Sequence, residues 1–262
     1  MNFADINDIS IHFNYINNGA NKPAVVFSNS LGTDFRIWES CIENLSKDYS
    51  ILTYDKRGHG LSGLGNSPYV INDHVTDLID LMDHLKISEA VLVGLSVGGL
   101  VVQGVYHKRP DLVQGLILCD TAAKIGNEQM WNDRIAIARD GGLEALLEGN
   151  MQRWFSPNFH KNRQVDLRGY EAMFTRTPLE GYIGTGKAIR DADFTDKAPS
   201  ISVPTTCVVG RQDGATPPEL VEGTAKLIPG AKFEIIEEAG HIPCAEQPDE
   251  VVRIIREMIA SL

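Results

Sequence analysis

The sequence predicts an α/β architecture: an eight-stranded, mostly parallel sheet flanked by helices, with a helical cap insertion. Three observations carry that expectation. Short β-type runs alternate with helical patterns along the chain. The later β-type runs are almost continuously apolar, as strands buried on both faces must be. Between Thr121 and Ser200 the alternation lapses and only amphipathic helical patterns remain. The expected organisation is a sheet core over 1–120 and 201–262, with 121–200 as the cap.

Taken in order, "NFADINDISIHFNYI" alternates apolar and polar residues on either side of Asn7-Asp8. That pair tolerates the left-handed backbone of a tight turn, so the segment reads as a hairpin of two strands. Strands are then expected at 24–29, 51–55, 90–95, 115–120, 205–210 and 232–238. Between them, Val75, Leu78, Ile79, Met82 and Leu85 recur at helical spacing within 73–85, and 97–108 and 249–259 share that character. In the cap, "WNDRIAIARD", "GLEALLEGNMQRWF", "LRGYEAMF" and "EGYIGTGKAIRDA" have the same period.

A chain of 262 residues buries enough surface to need no covalent or metal staple. Its net charge of −11 argues against nucleic acid or an anionic membrane as the main partner, because both repel it. For the same reason an anionic substrate would require a local cation. No apolar run approaches the ~20 residues that span a bilayer, and "MNFADINDIS" lacks the pattern of a secretory signal. Cys41, Cys119, Cys207 and Cys244 form no CxxC pair, and two of them lie in apolar runs. That usage fits a reducing compartment, with the cytoplasm as the expected location. A homo-oligomer is compatible with the composition but not specified by it.

Gly94-Leu95-Ser96-Val97-Gly98 fits G-x-S-x-G. Alone the pattern is weak, but here it ends an expected buried strand and opens an expected helix, the setting of a nucleophile elbow. A Cβ at Gly94 or Gly98 would collide with the neighbouring strand or helix, and the Val97 amide would point from the helix N-terminus above Ser96. The plainer alternative is a glycine-rich turn whose serine caps the helix. Phosphate binding is disfavoured, since neither G-x-G-x-x-G nor a Gly-Lys-Ser/Thr sequence is present.

A serine hydroxyl needs a base, and the base needs a third group to orient it. His241, after the last strand, is the preferred base, and Gly240 is expected to give its imidazole room. His59 in "DKRGHGLS" is the competitor, expected to serve its own loop instead. Asp213, in a turn bracketed by Gly210 and Gly214, is the preferred acid, with Asp120 as rival. The order Ser96, Asp213, His241 suits this architecture. A second oxyanion donor beside Val97 is expected from the backbone of Leu31, in "VVFSNSLGTD".

Together these residues resemble the α/β-hydrolase fold. "FSNSLGTDFRIW", "YDKRGHGLS", "VGLSVGG", "RWFSPNF", "TPLEGYIGTGKAIRDAD" and "GHIPCAEQP" are more closely similar to the 3-oxoadipate enol-lactonases of aromatic catabolism. The departures are small: Val97 stands where methionine is commoner, and "IGTG" where a small, cysteine-rich run is usual. The resemblance implies ring opening of a small anionic lactone, 3-oxoadipate enol-lactone, through an acyl-enzyme without metal or organic cofactor. The substrate's acetate arm then needs cationic or donor groups. Arg134, flanked by Trp131 and near Trp154, is the expected source, with Lys187 or Arg190 as alternatives. A carboxylesterase, a C–C bond hydrolase or a perhydrolase would share the same three catalytic side chains. A noncatalytic ligand receptor could retain them too.

Overall fold

The computed structural model describes residues 1–19 and 22–262. The hairpin opens the fold: β1 (Asn2–Ile6) and β2 (Ile9–Ile16) pair antiparallel across Asn7 and Asp8. Both turn residues have positive φ, 48° and 62°, the backbone that a two-residue hairpin loop demands. Next come β3 (Ala24–Ser28), α1 (Glu39–Leu45), β4 (Ile51–Tyr54), α2 (Ile71–His84), β5 (Ala90–Leu95), α3 (Val97–Lys108) and β6 (Val113–Cys119). Five helices are inserted before the sheet resumes: α4 (Glu128–Gly141), α5 (Glu144–Trp154), α6 (Pro157–Asn162), α7 (Gln164–Thr175) and α8 (Leu179–Asp191). The chain closes with β7 (Thr205–Gly210), α9 (Pro218–Leu227), β8 (Lys232–Ile236), α10 (Pro243–Glu246) and α11 (Pro248–Ala260).

The sheet order is β1-β2-β4-β3-β5-β6-β7-β8. Only the β1/β2 and β2/β4 pairs are antiparallel; the other five are parallel. Every residue of β3, β4, β5 and β7 is buried, which explains their largely apolar sequences. Register decides where function can sit. Ser28 lies opposite Gly94, Leu95 opposite Cys119, and Gly210 opposite Ile236. The parallel strands therefore end together, and the segments after β3, β5, β6, β7 and β8 emerge at one edge of the sheet.

Strand 115–120 begins two residues earlier than expected, at Val113, and the last strand stops at Ile236. Helices α1 and α6 had no periodic signal to announce them, because seven and six residues make too few turns to define a face. All four cysteines are buried and free. Among the described residues, no helix is long and apolar enough to cross a membrane.

Candidate active site

Ser96 sits between β5 and α3 with φ 58° and ψ −118°, a backbone conformation that L-residues adopt only under constraint. The constraint is visible. The Ser96 N–H donates to the Cys119 carbonyl at 3.0 Å, and Thr121 Oγ1 donates to the Ser96 carbonyl at 2.6 Å. A Cβ on Gly98 would lie 2.0 Å from the Ser28 carbonyl oxygen, and one on Gly94 would lie 2.4 Å from the Gly98 carbonyl oxygen. The two glycines let strand, turn and helix pack this tightly.

His241 follows β8 and is almost fully buried. Its Nδ1 lies 2.9 Å from Asp213 Oδ2. Asp213 Oδ1 accepts from the Ala215 and Thr216 amides at 2.7 and 3.0 Å, and Oδ2 also accepts from Thr216 Oγ1 at 2.7 Å. Burial works against ionisation here, but the neighbouring His241 ring and these donors hold the Asp213 carboxyl below the usual range. An ionised Asp213 makes Nδ1 the donor and leaves His241 Nε2 as a free acceptor. Gly240 serves a different end from the one expected. A Cβ there would lie 2.5 Å from the Trp154 carbonyl oxygen, so the glycine admits α5 against this loop rather than freeing the imidazole.

That contact is a latch. The His241 N–H donates to the Trp154 carbonyl at 2.8 Å, and the Gly214 N–H donates to the Arg153 carbonyl at 3.1 Å. Carbonyls in the last turn of a helix have no partner within it. Here the loops bearing the histidine and the aspartate supply them.

Asp120 is also buried at this edge, but its Oδ1 accepts from the Gly210 amide at 2.9 Å and its Oδ2 has no partner. Burial, and then the neighbouring charge of Asp213, push its carboxyl well above the ordinary range. Atoms of Asp120, Asp213 and His241 lie within 4.8 Å of one another. Nδ1 of His241 and both Asp213 oxygens are already engaged in the hydrogen bonds above, which makes the group a bonded pair with a neighbour rather than a chelate. His59 lies elsewhere: its Nε2 accepts the Gly32 amide at 3.0 Å and its Nδ1 donates to the Arg57 carbonyl at 3.2 Å. It therefore braces the segment after β3 as well as its own loop. Burial holds it neutral.

Ser96 and His241 line one cavity of about 450 Å³, together with Ser30, Leu31, Trp131, Arg134, Asn150, Arg153 and Trp154. Larger clefts exist on the surface; this one is distinguished by the groups that converge on it. Among the described residues, the Leu31 N–H has no partner in the protein. Val97 opens α3, so its N–H has no acceptor within the helix. Leu31 lines the cavity beside Ser96, and Val97 follows Ser96 in the chain.

The inserted helices supply the opposite wall. Arg134 Nε donates to the Tyr182 hydroxyl at 2.7 Å, and its Nη2 donates to Asn150 Oδ1. Arg153 Nη2 donates to the same Asn150 oxygen at 2.9 Å. Among the described residues neither arginine has a carboxylate partner; a neutral amide stands between two cations. The Arg134 guanidinium lies 5.7 Å from the Trp131 ring centroid, and the Trp131 indole donates to the Ile125 carbonyl at 2.8 Å. Trp154 packs edge-on against Phe174. Lys187 and Arg190 do not line the cavity, and Arg190 is spent on Asp191 and Asn132. Arg153 is the residue that sequence reasoning missed. Its signal was present: Leu146, Asn150, Arg153 and Trp154 recur at three- and four-residue spacing and share one face of α5.

Residues 23–248 match the model of the alpha/beta hydrolase fold family. This chain belongs to the α/β hydrolase fold family. It is 34% identical over 239 residues to 3-oxoadipate enol-lactonase 2 of Acinetobacter baylyi, covering 91% of this chain and 89% of that protein. The enol-lactonase of Burkholderia xenovorans superposes with a TM-score of 0.95 at 34% identity, covering 99% of this chain and all of that one. A thermophilic esterase from Thermogutta terrifontis, in a malate-bound structure, superposes with a TM-score of 0.90 at 29% identity, covering 97% of this chain and 94% of the other. These relatives and the eight-stranded sheet make the protein a hydrolase of the α/β hydrolase fold.

Proposed function

We propose that the protein is a serine hydrolase that opens the ring of 3-oxoadipate enol-lactone. The observation that carries the reading is the pair Arg134 and Arg153. In a protein of net charge −11, two guanidinium groups without carboxylate partners among the described residues face the cavity that holds Ser96 and His241. Half-buried cations without an anionic partner are costly to maintain, and an anionic substrate arm offsets that cost. The similarity to enol-lactonases and to an esterase with a bound dicarboxylate supports the same chemistry.

In this mechanism Ser96 Oγ attacks the lactone carbonyl while His241 Nε2 takes its proton, and Asp213 stabilises the resulting imidazolium. The Leu31 and Val97 amides hold the oxyanion. Collapse of the tetrahedral intermediate breaks the ring C–O bond. The leaving group departs as an enolate, whose delocalised charge makes it leave more readily than an alkoxide, and the proton that His241 took from Ser96 passes to its carbon to give the ketone. Water, deprotonated by His241, then attacks the acyl-enzyme and releases 3-oxoadipate and the free Ser96 hydroxyl. No step calls on a metal or organic cofactor. A reducing cytoplasm suits the four free thiols.

Following enol-lactone loss by ultraviolet absorbance, in parallel with a neutral nitrophenyl ester, tests the reading. Ser96→Ala should lose about 10⁴-fold or more in kcat on both substrates. The wild type should prefer the anionic lactone. Equal rates for wild type and Ser96→Ala would remove the mechanism, and preference for neutral esters would make the protein a carboxylesterase.

A further inference from the structure

Lys56 stands out as a fully buried ammonium, only 1% exposed, in the segment after β4. Its Nζ donates to the Ser30 carbonyl at 2.6 Å, an oxygen that also accepts from Thr33 Oγ1 at 3.0 Å. That carbonyl belongs to the peptide unit whose N–H is the Leu31 amide. In a trans peptide the C=O and N–H point in opposite directions, so fixing the oxygen on one side aims the hydrogen on the other. On the far side of Leu31, the Gly32 N–H is held by His59. The segment 56–59 thus grips this peptide chain both before and after the cavity-facing amide.

We propose that Lys56 is a positioning residue for the oxyanion donor, which orients the Ser30–Leu31 peptide and, by its positive charge on the carbonyl, makes the Leu31 N–H a stronger donor. The proposal rests on the reading of Leu31 as an oxyanion donor, but not on the identity of the ester. Drawing electron density toward the carbonyl oxygen increases the positive character of the amide hydrogen, and a cation behind the peptide lowers the energy of the developing oxyanion. Acylation and deacylation both pass through that oxyanion.

The groups facing Lys56 are Asp34 and Asp55, which favour its charge, and His59 and His74, both buried and held neutral. Burial outweighs the two carboxylates and pulls the ammonium down to about 7. Its charge therefore changes near neutrality. In the unfolded chain the amine keeps its proton up to about 10.5, so the folded state binds fewer protons between those values and stability rises with pH across that window.

The test is a kcat–pH profile on a neutral nitrophenyl ester, with thermal melts, for wild type, Lys56→Met and Lys56→Gln. The substrate keeps the result readable even if the lactone assignment fails. Wild-type kcat should fall on the alkaline side of about 7 as the ammonium is lost. Lys56→Met should lower kcat about ten- to a hundredfold with little change in KM, and should lack that limb. Its Tm at pH 7 should equal or exceed that of wild type, since a buried cation has gone. Lys56→Gln restores a donor to the Ser30 carbonyl without charge; its kcat should fall between the other two, again without the limb, and it serves should the methionine variant not fold. An alkaline limb that persists in the variants, or a kcat within about twofold of wild type in both, overturns the proposal. So does a loss of activity that only tracks a lowered Tm.

Discussion

The two walls of the cavity are built in different ways. On the sheet side, position is set by the backbone. Ser96 is held between β5 and β6 by main-chain contacts, and glycines at 94 and 98 allow approaches that no other residue permits. On the helical side, the guanidinium groups of Arg134 and Arg153 are held by side chains, through the Asn150 amide and the Tyr182 hydroxyl. A backbone-built wall tolerates almost no change, whereas a side-chain-built wall can be altered residue by residue. The first suits bond breaking and the second suits the choice of substrate.

The sharpest way to break this contrast is on the sheet side. Gly98→Ala would drive a methyl group to within 2.0 Å of the Ser28 carbonyl, and backbone on both sides leaves nowhere to move. We expect kcat to fall by about a hundredfold or more on every substrate and Tm to drop by several degrees, read by calorimetry and ester turnover. A fully active, equally stable variant would show that the elbow is less constrained than its contacts indicate.

Asn150→Asp sharpens the comparison from the other side by placing a carboxylate between the two arginines. The new anion would occupy both guanidinium groups and repel the substrate's own. Here kcat/KM for the anionic lactone should fall about a hundredfold, while the neutral ester changes by no more than about threefold. Equal losses on both substrates would mean that the helical wall does more than select.

The smallest effect is expected at Asp120. An asparagine keeps an acceptor for the Gly210 amide, so Asp120→Asn should keep activity within about threefold. Asp120→Ala leaves the Gly210 amide without its acceptor and should lower Tm. If Asp120→Asn instead loses activity as severely as Asp213→Asn, then the ionised acid has been assigned to the wrong carboxyl.

The same division governed what could be read from the sequence. Apolar runs and a glycine-bracketed serine are properties of short segments, so the eight strands and the serine elbow were visible in the order of residues. The helical wall depends on which faces of α4, α5 and α8 meet, and that is a property of packing. Arg134 is named from the sequence while Arg153 is passed over, although Asn150 and Trp154 mark the same face. Gly240 was read for freedom of the imidazole, because its true neighbour, the Trp154 carbonyl, is remote in sequence. Lys56 was hidden most completely. Within "YDKRGHG" a lysine looks like a solvated charge, and only its burial sets it apart.

The hydrogen bonds from His241 to the Trp154 carbonyl and from Gly214 to the Arg153 carbonyl have a mechanical consequence. If α5 swung away as a rigid door, it would pull on His241 and on the turn that carries Asp213 at the same moment. Traffic into and out of the pocket is therefore better served by the rim near Met130 and Ile137 on α4, whose side chains stand partly in solvent. Entry there leaves the hinge side bolted.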